Sequence, residues 1–110
     1  MIGEENMWIG LNDGWLSIVE NYNDKNTLLV RARKLEHLLK AFPMCEYWRD
    51  LDADYPFRAY IPRKVVAKVI AKRIEDINYP NFKNSVEEDK LHSAYNEVWQ
   101  TMYFTYRSEK

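Results

Sequence analysis

Glycine is scarce in this chain, at 3 of 110 residues, and cysteine is scarcer still, at one. So few glycines leave no GxGxxG or Walker A loop to cradle a phosphate, and no GxSxG elbow to present a nucleophilic serine. Cys45 alone cannot form an internal disulfide, which suits a reducing compartment. Charge of one sign is also missing. Lysine and arginine total 16 against 17 acidic residues, a net charge of −1, so no overall field draws the chain to nucleic acid or to an anionic membrane. No apolar run approaches the roughly 18 residues of a membrane span, and the opening MIGEENMWIG lacks the basic start and apolar stretch of a signal peptide. The expected location is cytoplasmic, with no membrane association.

What is present is core material. Hydrophobic residues make up 46% and aromatics 15%, enough apolar surface to offset the entropy of ordering a chain. A length of 110 residues suits one domain with one core. Four Trp, eight Tyr and four Phe exceed what such a core needs, so some rings should reach the surface, where Tyr and Trp favour contact sites.

MWIGL (7–11) and WLSIVE (15–20) are strand-like runs flanking Asn12-Asp13-Gly14, and a D-G step between such runs signals a hairpin. TLLVRAR (27–33) alternates, with Leu28, Val30 and Ala32 on one side and Leu29, Arg31 and Arg33 on the other. It should pair with WLSIVE. KLEHLLKAF (34–42) places Leu35, Leu38, Leu39 and Phe42 at helical spacing before Pro43 stops it. Residues 44–56 show no period beyond room for a brief strand at 46–48. FRAYI (57–61) alternates as a strand, and Pro62 suits the first turn of a helix whose stripe is Val66, Val69, Ile70, Ile74 and Ile77. Lys64, Lys68 and Lys72 form another face of that helix, read as solvated. Residues 78–85 read as loop. A last helix over about 87–106 should bury Leu91, Tyr95, Val98 and Met102, with Trp99, Tyr103 and Tyr106 as an aromatic line beside them. The expected fold is α+β, a single domain over 7–110 preceded by a flexible extension at 1–6. It has an antiparallel sheet of three to five strands, with about three helices on one face, in the order ββ(β)αβαα.

The strings LLVRAR (28–33), DYPFRA (54–59), INYPNFKNSV (77–86) and YNEVW (95–99), together with the Met7-Trp8-Ile9 start, resemble a family of small uncharacterised proteins of bacteria and their phages. The resemblance spans about Met7 to Tyr103. It implies no activity, because none is assigned to the family, and it makes Met1 to Asn6 an extension ahead of the usual start.

Chemistry-bearing clusters are few. Asp50, Asp52 and Asp54 alternate, but an EF-hand loop from Asp50 would need Gly and Glu where Tyr55 and Ile61 stand. Cys45, His37 and His92 are not at zinc spacing. No metal or cofactor is expected, and no catalytic constellation is complete. His37 reads as a boundary residue of its helix and His92 as exposed.

Two surfaces remain. Arg31 and Arg33 share one face of their strand, as Arg58 and Tyr60 share one face of theirs. If the strands are neighbours, three guanidiniums gather on the sheet face away from the helices, and Tyr79, Asn81 and Lys83 could approach. Such a face suits a small phosphorylated or nucleotide-like anion, with phosphodiester chemistry as a further extension. The plainer alternative pairs these arginines with Asp50, Asp52, Asp54 and Glu20. The second surface is the line Trp99, Tyr103 and Tyr106, which offers an interface to another protein or a second copy of the chain. An inhibitor or adaptor of the accessory kind encoded by bacteria and phages, acting through such a surface rather than by catalysis, is the leading expectation. Nucleic acid is disfavoured by the near-neutral charge.

Overall fold

In the computed structural model, which describes residues 7–109, Met7–Leu11 (β1) and Gly14–Glu20 (β2) form the expected hairpin, with Leu11 opposite Gly14 across a two-residue connection. No described residue has positive φ, so Gly14 is not needed for its backbone freedom. It is needed for space. A Cβ there would stand 3.0 Å from the Cβ and 3.1 Å from the Cα of His37. The turn itself is tied down from afar: the Arg73 guanidinium donates to the Asp13 carboxylate and to Asn12 Oδ1.

Thr27–Ala32 (β3) continues the meander, pairing antiparallel with β2. After the helix Leu35–Ala41 (α1) come Tyr47–Arg49 (β4) and Phe57–Pro62 (β5), and β5 returns to pair with β3 while β4 lies outside it. The result is a five-stranded antiparallel sheet in the order β1-β2-β3-β5-β4. The brief strand anticipated at 46–48 is β4, shifted by one residue. Arg63–Glu75 (α2) follows directly, with Pro62 as its N-cap rather than inside its first turn. The start of α2 is held by Arg63, whose backbone N–H donates to Asn26 O at 2.7 Å and whose Nε donates to Lys25 O at 3.0 Å.

Alternation delivers the core. Leu16, Ile18, Val30, Ala32, Ala59 and Ile61 project from one sheet face onto Leu38, Ala41 and Phe42 of α1 and its C-cap and onto Val66 of α2. Leu16, Val30, Ala32, Leu38 and Ala59 have no exposed surface. His37, read as a boundary residue, is instead buried, and its Nδ1 accepts from the Trp15 N–H at 3.3 Å. The α2 stripe stops short of its expected length: Val69 and Ile70 pack against the core, whereas Ile74 and Ile77 are exposed. Lys64 and Lys68 are exposed, and Lys72 pairs with Asp76 one turn on, at 2.7 Å.

The chain is a single α+β domain, in the order βββαββααα, whose described residues fall into two compact units that divide between Asn78 and Tyr79. The second unit is helical. The segment read as loop contains a short helix, Phe82–Ser85 (α3), because Asn81 Oδ1 accepts from the Asn84 N–H at 3.1 Å and caps it. Asp89–Tyr106 (α4) follows, closed by a 3-10 turn at Arg107–Glu109. His92 near its start is half-buried rather than exposed. The extension expected at Met1 to Asn6 lies outside the described residues.

Candidate functional site

Directly opposed residues of an antiparallel sheet point to the same side. The register therefore lays one row across all five strands on the face away from α1 and α2: Trp8, Ser17, Arg31, Arg58 and Trp48. Arg31 and Arg58 stand opposite each other at the centre of this row, as neighbouring strands require. Arg33 lies just beyond the end of β3, and its guanidinium converges on the same place. It sits 4.2 Å above the Tyr55 ring, and that of Arg31 sits 4.9 Å from the same ring. Arg58 Nη1 donates to the Tyr55 carbonyl at 3.3 Å. Tyr55 is thus the hub of all three arginines, a role with no signal in the sequence, since the segment around it has no period.

The plainer alternative for the arginines does not hold. Among the described residues, none of the three has a carboxylate within ion-pair distance. Asp50 is spent on its own loop, its backbone N–H donating to Pro56 O and its carboxylate accepting from the Asp52 N–H. Arg31 donates through Nη2 to Ser17 Oγ at 2.7 Å, while its buried Nε–H has no acceptor. Burial, and after it the Arg58 charge, push the Arg31 guanidinium below its ordinary pKa, with Asp54 and Tyr55 acting the other way. Although it lies away from α1 and α2, the face is not simply open to water. Ser17 and Tyr55 are buried, and Arg31 and Arg58 are half-buried. The Tyr55 ring lies against the Arg31 and Arg33 guanidiniums.

Tyr60 lies on this face two residues from Arg58, but its ring packs on Trp48 at 4.9 Å between centroids. Tyr79, Asn81 and Lys83 belong to the helical unit and have local partners there: Tyr79 meets Phe82, Asn81 caps α3, and the Lys83 ammonium sits 4.1 Å over the Trp99 ring.

The second candidate surface is larger than the sequence implied. Leu91 and Tyr95 of α4 are buried, but Val98 and Met102, expected to join them, are 46% and 54% exposed. A helical period says which face is apolar and not how far the packing extends. From Glu97 onward every described position is exposed. Trp99 and Tyr103 stack almost parallel at 5.4 Å, Phe104 meets Tyr103 edge-on, and Tyr106 continues the line, each of them about half exposed.

Among the described residues no group of three His, Cys, Asp or Glu side chains could hold a metal ion, and no helix is long and apolar enough to cross a membrane. The geometry defines a small antiparallel α+β protein with an arginine row on one sheet face and an exposed aromatic helix end. Comparisons with family models, curated proteins and solved structures give no match.

Proposed function

We propose that this chain is a non-enzymatic interaction protein, of the inhibitor or adaptor kind that bacteria and phages encode, acting in the cytoplasm through the C-terminal half of α4. One observation carries the reading: Val98, Trp99, Met102, Tyr103, Phe104 and Tyr106 are all about half exposed on one short stretch of helix. Isolated apolar side chains on a surface are ordinary, but a contiguous group of this size marks a contact site.

A second copy of the chain fits this surface. Six such side chains expose on the order of 600 Å², so two copies would cover on the order of 1,200 Å², the lower end of what a stable interface buries. Val98, Met102 and Tyr106 lie one turn apart and extend the stripe begun by Leu91 and Tyr95, which suits helix-on-helix packing. Light scattering at micromolar concentration should give a dimer. Met102→Lys should give a monomer with unchanged circular dichroism, because the residue is half exposed, and should lose the rise of melting temperature with protein concentration that a dimer shows. A wild-type monomer at about 100 µM, weak even for a standard-sized interface, would remove the reading.

A second function rests on a different observation, the Arg31–Arg58 opposition with no carboxylate in ion-pair contact among the described residues. It supports a binder of a small phosphorylated or nucleotide-like anion, held by Arg31, Arg33 and Arg58, since guanidinium forks match phosphate geometry.

A further inference from the structure

β4 is only three residues long and covers β5 from Phe57 to Ala59, so the chain just before it, Met44 to Glu46, leaves the sheet edge. A cavity of about 380 Å³ opens there, between the end of α1, the exposed end of β5 and the first turns of α2. Its lining includes the core residues Phe42 and Ile61, both buried, together with Val69. Its lining also includes Met44 and Val65, which are 92% and 44% exposed. Apolar side chains left in water around a concave apolar pocket are the usual form of a small-molecule site. At the ~30 Å³ that a water molecule occupies in the liquid, the volume suits roughly a dozen heavy atoms.

The polar lining is sparse and of one sign. Glu46 is the only charged residue that lines the cavity; it is exposed and has no ion-pair partner among the described residues. No lysine, arginine or histidine lines it. A lone carboxylate on a mainly apolar pocket, whose other polar side chains are the uncharged Tyr60 and Cys45, repels an anionic ligand and favours a cationic one, and its charge-assisted hydrogen bond would orient an amine. From the cavity and its charge we infer that this pocket binds a small apolar amine, with the aromatic or branched body against Phe42, Ile61 and Val69 and the ammonium at Glu46. Its lining includes Tyr60 but no residue of the arginine row and none of α4, so neither of the functions above rests on it.

The probe is 2-phenylethylamine, with 3-phenylpropanoate as the acidic counterpart of similar size, and Cys45 in the lining serves as reporter. Titration of the full chain should give saturable amide shifts at Cys45, Ile61 and Val65 in nitrogen-proton NMR spectra. Iodoacetamide alkylation of Cys45 should slow at least threefold at saturation. Glu46→Gln should weaken amine binding at least threefold, and Val65→Trp, which fills the mouth from a half-exposed position, should abolish it. The inference is overturned if no saturable shift appears up to about 10 mM amine, a weak affinity even for a fragment. Equal binding of the acid, or undiminished binding by Glu46→Gln, overturns it as well, and that arm decides should Val65→Trp fail to fold.

Discussion

Arg31 and Arg58 face each other directly across β3 and β5, two guanidiniums on one sheet face. Like charges in that position are unfavourable by several tenths of a kcal/mol, and among the described residues no carboxylate comes within ion-pair distance to offset them, Asp54 acting on Arg31 only from farther off. A ring, a serine hydroxyl and a backbone carbonyl stand in contact instead.

Arg58→Glu should therefore stabilise the fold by about 0.5–1 kcal/mol, by turning a repulsive cross-strand pair into an attractive one. In urea unfolding the midpoint should rise. If the arginine row binds anions, inorganic phosphate should raise the wild-type melting temperature at constant ionic strength, and the same variant should lose that response. A variant that keeps the response would end the anion reading, whereas a wild type that never responds would leave only the interaction reading.

Tyr55 should tolerate loss of its hydroxyl but not of its ring. Two cation–π contacts of about 0.5–1 kcal/mol each converge on it. Tyr55→Phe should change unfolding free energy little, and Tyr55→Leu should lower it by about 1–2 kcal/mol. Equal losses for both substitutions would assign the residue's weight to its hydroxyl or to packing.

Gly14→Ala should cost about 1–3 kcal/mol, because the new methyl would press on the backbone of α1 at His37 rather than on a side-chain tip that can swing away. Thermal unfolding followed by circular dichroism measures it. An unchanged midpoint would mean that α1 shifts freely relative to the hairpin.

Cys45 gives a pH test. Burial pushes its thiol pKa up, so the folded protein resists thiolate formation. The stability this contributes is complete below the pKa of the unfolded chain and is lost as pH rises through the folded value. Alkylation rates in the native protein should climb at higher pH than in urea. Coincident profiles would show a thiol as accessible as in the unfolded chain.

The legible part of this molecule was its periodicity. Leu28, Val30 and Ala32 alternate against Arg31, and that alone fixed which face of β3 meets the helices and which carries charge. β4 was legible only as a hint, because three residues cannot show a period, and α3 was hidden by Asn and Pro that also make loops. Tyr55 could not be read at all: its role comes from where a structureless segment happens to return over the sheet. Val98 and Met102 were placed on the correct stripe, yet their exposure depends on where packing ends, which no local pattern encodes.

The strand order β1-β2-β3-β5-β4 bears on how the chain gets to this fold. β1, β2 and β3 pair with sequence neighbours through short connections, so their contacts close at small entropic cost, while β5 must reach β3 across more than twenty intervening residues that include both α1 and β4. The meander is thus expected to form the folding nucleus, with β5 docking later and β4 last. Ile18→Val should then slow refolding, and substitutions at Trp48 should act chiefly by speeding unfolding, a division that stopped-flow kinetics would read directly.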